Sequence, residues 1–463
     1  MKASSSTPKP IQRILLDCTH THATHVKTGI QRVVRNIARA AKHLAPEMNI
    51  ECRPVVLRKG QYELVKVDIQ QENVLWETTK RVYRAVMSPL ISTLPLPILK
   101  RWLLPAPGHC GIFKIPVKIG KAIAKPVRKL LEICGLRERP LVEPGAGDML
   151  MIMEPNSYQK NWHIIEQIKA RGAKVGTLMF DLIPITHAEC CDPRCVREFV
   201  PWLAATAQHS DFYIAISWTV RNELEAHLNR HFPRPWRSEQ FEAFHLGADL
   251  DLVSHRGGVR ASVQSFFAGH QQSPIDLFVG TVEPRKNHEY LLDAYELAWQ
   301  AGSPAKLCLI GRVGWLCEQT LERIQQHPEL GQRLQCYHDL SDTELNYCYE
   351  RARALVYPSK QEGFGLPLIE ALHKKLKVLA SDIPIHREVG QDFCAYFDLR
   401  KPQDLATKLA ALDRHPGSLG VRDPAEYEVV SWEQSCREFL TACIRQGRAN
   451  SLGDKPVTQT RAA

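Results

Sequence analysis

No uncharged apolar run among the 463 residues reaches the ~18 that a membrane-spanning helix needs, so an integral membrane protein is not expected. Cysteine is sparse. The 14 present are too few for a disulfide scaffold, and no cationic and apolar leader opens the sequence, so a reducing, cytoplasmic setting is the expectation. No fixed-period repeat occurs, which sets solenoids and propellers aside. Most of the chain also lacks excess positive charge. Positions 80–140 hold 13 basic against two acidic side chains, a surplus of 11 that exceeds the formal net charge of +10 for the whole sequence. The remainder is close to neutral, and no nucleic-acid-binding surface is expected. What the sequence does have is 44% apolar residues, enough to build full cores in two to four domains.

A short apolar run, Ile14-Leu15-Leu16-Asp17, predicts a buried strand. After a loop rich in His and Thr, Ile30, Val33, Val34, Ile37, Ala41 and Leu44 recur on one helical face, with Thr28 and Gln31 as a capping box. Positions 80–140 break this rhythm and read as an insertion. Their cations alternate with Leu, Ile, Val and Trp102, as in segments that lie on an anionic membrane surface, so peripheral contact with the inner face of the plasma membrane is expected. The bland alternative is a solvated excursion. Strand and helix patterns resume at 174, and residues 253–274 read as a linker. From Asp276 onward short apolar strands alternate with helices, as parallel sheets covered on both faces require. The expected fold class is α/β, with two Rossmann-like domains facing a central cleft.

In such a sheet the loops at the strands' carboxyl ends meet at one edge. Phe278-Val-Gly-Thr-Val-Glu-Pro-Arg-Lys-Asn287 places Arg285 and Lys286 at a strand-to-helix junction, after Gly280. Two adjacent cations beside helix amides suit a diphosphate. Leu309-Ile-Gly-Arg312 ends a second strand at Gly311 and Arg312. Glu362-Gly-Phe-Gly-Leu-Pro-Leu-Ile-Glu370 follows a third, and Pro367 fits a first helical turn. Gly363, Phe364 and Gly365 then form a loop whose amides face outward ahead of a positive helix end.

These segments resemble glycosyltransferase family 4, retaining enzymes of the GT-B fold, and among them bacterial polysaccharide mannosyltransferases. Glu362 and Glu370 match the family's E-x7-E signature. G-T-x-x-P-R-K-N at 280–287, L-I-G-R-x-G-W at 309–315, L-S-D-x-E-L at 340–345 and S-D-I-P-x-x-x-E-V at 381–389 agree with it. The resemblance implies that Arg285 and Lys286 bind the diphosphate of a nucleotide sugar and stabilise it as leaving group. It implies that Glu370 accepts ribose hydroxyls, and that Glu362 with the amides of Phe364, Gly365 and Leu366 holds the sugar. Gly29 would let its loop approach donor phosphate and acceptor. Asp181 is a candidate for holding a neighbouring loop or touching substrate. Many relatives carry His where this chain has Phe180, and His187 and His245 are the two candidates to replace it.

By this resemblance the donor is GDP-mannose first and a UDP-sugar second, the acceptor is a glycan or lipid-linked saccharide, and no cofactor or metal is implied. The implied layout is an acceptor domain over 1–265, a nucleotide-sugar domain over 270–425, a helix over 426–447 packing back on the first domain, and a disordered tail over 448–463. Other classes with a similar cleft are a hydrolase, an epimerase, a phosphorylase, or a non-enzymatic scaffold. His20, His22 and His25 read as a polar loop, and Cys190, Cys191 and Cys195 as thiols without metal-ligand spacing.

Overall fold

The computed structural model describes residues 10–23, 29–65, 140–155, 161–248, 258–269, 273–415 and 417–449. The basic segment at 80–139, Thr28, His25, residues 253–257 and 270–272 of the linker and the tail from 450 lie outside the described residues, while the middle of that linker is a helix, Ala261–Phe267.

The first lobe is built on strands β1 (Arg13–Asp17), β2 (Glu51–Arg58), β3 (Gln61–Leu64), β4 (Leu141–Val142), β5 (Asp148–Ile152), β6 (Lys174–Met179), β7 (Phe212–Ala215) and β8 (Phe241–Ala243). They form one sheet in the order β4-β3-β2-β1-β5-β6-β7-β8. Strands β2, β1 and β5 to β8 run parallel, with β3 and β4 antiparallel at one edge. Alternating side chains bury both faces. Ile14 and Leu16 point to the side covered by helices Gly29–Glu47 and Trp432–Ala449, and Leu15 to the side covered by helices 162–170, 193–209 and 218–231. That two-sided burial is why β1 reads as a continuous apolar run.

The second lobe has six parallel strands, β9 (Ile275–Val279), β10 (Lys306–Ile310), β11 (Leu334–Tyr337), β12 (Ala354–Tyr357), β13 (Lys377–Ser381) and β14 (Cys394–Phe397), in the order β11-β10-β9-β12-β13-β14. The connectivity reverses between β9 and β12, which leaves a crevice at their carboxyl ends. Beneath the sheet, Arg353 binds Asp276 (2.8 and 2.6 Å) and Tyr295 donates to the same carboxylate (2.8 Å). Helix Trp432–Ala449 returns to the first lobe. There Phe439 meets Phe244 at 5.5 Å between ring centroids, and Lys174 donates to the Gly447 carbonyl at 2.8 Å. Among the described residues no helix is long and apolar enough to cross a membrane.

Candidate active site

Beyond β9 the chain turns through Gly280 into a tight turn, Pro284–Lys286, that ends at Asn287 in the left-handed region (φ 58°) before helix His288–Gln300. Asparagine tolerates that region better than most side chains do. Both cations therefore leave one short turn at the mouth of the crevice. On its other side β12 ends at Tyr357, and the following loop brings Glu362 back over the cations.

Glu362 bridges them. Its Oε2 lies 2.5 Å from Arg285 Nη1 and its Oε1 2.5 Å from Lys286 Nζ. Lys286 also donates to the Tyr357 hydroxyl at 2.6 Å, which donates to Glu362 Oε1 at 2.9 Å. Arg285 reaches Glu283 at 2.5 Å and the Gln361 carbonyl at 2.9 Å. Burial alone would raise the Glu362 pKa, but Arg285 and Lys286 outweigh it and hold the carboxyl well below its usual range. Burial draws Lys286 down, and neighbouring Arg285 adds to this. Burial also opposes the Arg285 charge, yet Glu362 and Glu283 more than offset it. Two cations and two carboxylates formally cancel, so affinity for an anion must come from fixed donors rather than net charge. The sequence pattern sends Glu362 toward a sugar; the structure places it between the cations, locking both. Glu283 escapes a motif reading although it lies within the quoted run at 278–287, and Tyr357, the last residue of β12, lies outside every quoted run.

Glu370, on helix Leu366–His373, is 3% exposed. Its Oε2 accepts from the Tyr349 hydroxyl at 3.0 Å, and its Oε1 pairs with Arg32 of the first lobe. Neither partner is visible in the sequence pattern. Gly365 adopts φ 94° ahead of that helix, a left-handed conformation that favours glycine, and Phe364 is buried behind it. Leu366, half-buried, opens the helix.

The glycines divide by what fills their bare side. A Cβ on Gly311 would lie 1.7 Å from the Gly280 carbonyl oxygen, so this position is required by the neighbouring loop of the protein itself. Gly280 faces the Lys286 stem, at 3.3 Å from a Cβ placed there. A Cβ on Gly363 would lie 2.1 Å from the Phe180 carbonyl oxygen, across the lobes, while one on Gly29 would meet, among the described residues beyond its own helix and chain neighbours, nothing within 4 Å. Arg312 is exposed, and its carbonyl accepts from Val282 at 2.8 Å.

Asp181 follows Phe180 and accepts the Ile183 amide at 3.0 Å. Burial raises its pKa against the pull of Arg285. Of the two candidate histidines, His245 reaches the 362–366 loop, 5.7 Å from the Phe364 ring, with Nε2 2.7 Å from Glu388. His187 sits at the end of helix Ile183–Thr186 and contacts Thr186 at 3.1 Å. Glu388 also accepts the Trp218 and Thr219 amides at 2.8 and 2.7 Å, placing a second-lobe carboxylate at the positive start of a first-lobe helix. Ser217 donates to the Gly363 carbonyl at 2.9 Å. The lobes thus meet around the 361–365 loop. His20 contacts Glu154 at 3.2 Å, and among the described residues no group of three His, Cys, Asp or Glu could hold a metal.

Two buried histidines flank the cluster, His288 and His386, each with an Nε2 that finds no hydrogen-bond partner. Burial depresses them to about 3 and about 4. The unfolded chain binds their protons near pH 6.5. Stability they contribute is therefore complete above that pH and falls as pH drops toward 4, by up to about 1.4 kcal/mol per pH unit for each. His386→Asn should keep the bond that Nδ1 makes to Ser381 (3.0 Å) and flatten the slope of unfolding free energy between pH 6.5 and 4.5 in urea melts. An unchanged slope would remove His386 from this role.

Residues 264–416 match the family model of the glycosyl transferases group 1. The serotype-specific mannosyltransferase WbdA of Escherichia coli is 35% identical over 284 residues, 60% of this chain and 34% of the relative. The O-antigen chain mannosyltransferase RfbU of Salmonella typhimurium is 36% identical over 144 residues, 31% of this chain and 39% of the relative. The matched stretch thus spans a little over a third of either relative's length. Among solved structures, sucrose-phosphate synthase of Thermosynechococcus elongatus superposes with a TM-score of 0.50 at 16% identity, covering 95% of this chain and 94% of that one. That likeness concerns the fold, two Rossmann-like lobes around a cleft.

Proposed function

We propose, from the premise that residues 264–416 are a group 1 glycosyl transferase segment, that the chain is a retaining transferase. It moves a hexose, mannose first, from a nucleotide diphosphate sugar to a hydroxyl of a glycan or lipid-linked saccharide in polysaccharide biosynthesis. The observation that carries this reading is the Arg285–Glu362–Lys286 bridge at the crevice between β9 and β12.

The lysine ammonium has three donors, and Glu362 and Tyr357 take two of them. The third is free to meet a diphosphate oxygen. As the bond from the anomeric carbon to the diphosphate oxygen breaks, charge grows on that oxygen where Lys286 and Arg285 already stand, so little reorganisation is needed. The acceptor hydroxyl attacks from the same face, its proton passing to the departing diphosphate, and configuration is retained. Glu370 grips the ribose, while Glu362 keeps the cations fixed. The contact of Gly363 with Phe180 and the Glu388 bonds hold the lobes closed enough to exclude water.

The E. coli and Salmonella relatives are named mannosyltransferases, which supports GDP-mannose ahead of UDP-sugars as the donor. Thermal melts with GDP-mannose, UDP-glucose and other nucleotide sugars decide between them. The true donor at 100 times its dissociation constant adds ~2.7 kcal/mol and raises the melting temperature. A melt unmoved by every nucleotide sugar would contradict the reading. Release of free nucleoside diphosphate only in the presence of acceptor separates a transferase from a hydrolase.

A further inference from the structure

We propose that Glu223, on helix Trp218–His231 of the first lobe, is a positioning residue that sets the Arg285 guanidinium for the donor diphosphate, acting through Gln361. The proposal rests on the reading of Arg285 as a diphosphate-binding residue.

Gln361 touches both parties. Its backbone carbonyl accepts from Arg285 Nη1 at 2.9 Å, and the preceding amide, of Lys360, donates to the Arg285 carbonyl at 2.8 Å. Its side chain crosses to the first lobe, where Nε2 donates to Glu223 Oε1 at 3.1 Å. Gln361 is 8% exposed, so water has little room to replace that partner. A buried amide left unpaired costs more than its hydrogen bond contributes, and the link therefore persists while the lobes are together.

The same helix grips the loop a second time. Ser217, its N-cap, accepts from the Val220 amide at 3.1 Å and donates to the Gly363 carbonyl at 2.9 Å. Residues 361 and 363 are thus held from the first lobe on either side of Glu362, the carboxylate that bridges the cations. The Ser217 bond fixes where the loop lies, while the Glu223 bond fixes the residue whose carbonyl receives Arg285. With its fork held by that carbonyl, by Glu362 and by Glu283, Arg285 has a set direction, and a shift of the carbonyl re-aims the donors that meet a ligand. The link needs an acceptor at position 223 rather than a charge. Burial and nearby Asp181 both push the Glu223 carboxyl up, against the Gln361 bond. An amide oxygen there would accept the same bond without that opposition.

The test measures GDP, UDP, guanosine and uridine binding by titration to the native chain, Glu223→Ala, Glu223→Gln, Gln361→Ala and the double alanine variant, each checked for an unchanged fold by circular dichroism. Arg285 meets only the diphosphate, so the nucleosides should bind every variant alike. The diphosphates should bind each single alanine variant about fivefold more weakly, the loss of one hydrogen bond. The double variant should be no weaker than either, since both cut one link. Glu223→Gln should restore most of the affinity. Either alanine variant serves if the other fails to fold. A role confined to holding the lobes together would move nucleoside and diphosphate alike, so an unchanged preference for diphosphate in a folded alanine variant overturns the proposal. Losses that multiply to about 25-fold in the double variant, or a Glu223→Gln as weak as Glu223→Ala, overturn it too. A native chain that binds neither diphosphate more tightly than its nucleoside refutes the reading of Arg285, and the role of Glu223 falls with it. A native preference that survives intact in Glu223→Ala refutes the Glu223 role alone.

Discussion

Lys286→Ala is expected to lower kcat by roughly 10²- to 10³-fold, the usual result of removing one fixed donor from a site of developing negative charge. The substitution also strips a buried carboxylate of one of its two cations. Glu362 stays ionised beside Arg285 at neutral pH, but breaking a buried pair from one side costs up to about 3–5 kcal/mol. Catalytic and structural losses must therefore be separated. Lys286→Met keeps the apolar stem that packs on Gly280 and the Tyr357 ring, which the ammonium faces at 4.8 Å. Both variants should lose kcat alike while Lys286→Met melts higher than Lys286→Ala. Turnover of the nucleotide sugar within a few fold of native in either variant would take the lysine out of the reaction.

Gly363→Ala is expected to be almost as damaging for a different reason. Its added Cβ would sit 2.1 Å from the Phe180 carbonyl oxygen and 3.3 Å from the Asp181 Cβ. A backbone oxygen cannot swing aside as a flexible side-chain end can, so the lobes themselves must part. The Ser217 bond to the Gly363 carbonyl would stretch with them. Misplacement by about 1 Å can cost on the order of 10²-fold in rate when two reactants are held by opposite walls. Small-angle scattering should show a more open ligand-free molecule, and kcat should fall with little change in the melting of either lobe. Gly258→Ala, where an added Cβ meets nothing, is the control expected to leave both unchanged. Native-like scattering and turnover in Gly363→Ala would mean that the cleft does not depend on this contact.

Much of the second lobe is legible in the sequence because its central strands are buried on both faces. Ala354–Tyr357 coincides with an unbroken, fully buried apolar run, and Ser341 and Glu344, inside the L-S-D-x-E-L segment, form a capping box with bonds of 2.9 and 3.2 Å. The cation pair at 285 and 286 is legible for the same reason, since a strand end followed by Pro and a helix start fixes where those side chains emerge. The edge strands β3 and β4 are not, being short, partly polar and antiparallel. Contacts between lobes are also hidden. Arg32 and Glu370 are 338 positions apart, and Glu388 caps a helix 170 positions earlier. No local pattern records such partners, because they depend on how two finished lobes meet. Glu362 shows a further reason. Its place in the motif is plain, but its placement between two cations follows from the reversal of connectivity between β9 and β12, a property of the assembled sheet.

The most direct test is a crystal structure with the donor, or with its nucleoside diphosphate, bound. The account predicts diphosphate oxygens within about 3 Å of both the Arg285 guanidinium and the Lys286 ammonium, with the ribose over Glu370. A ligand whose diphosphate lies elsewhere, with Glu362 and Glu283 still the only anions on that pair, would contradict it.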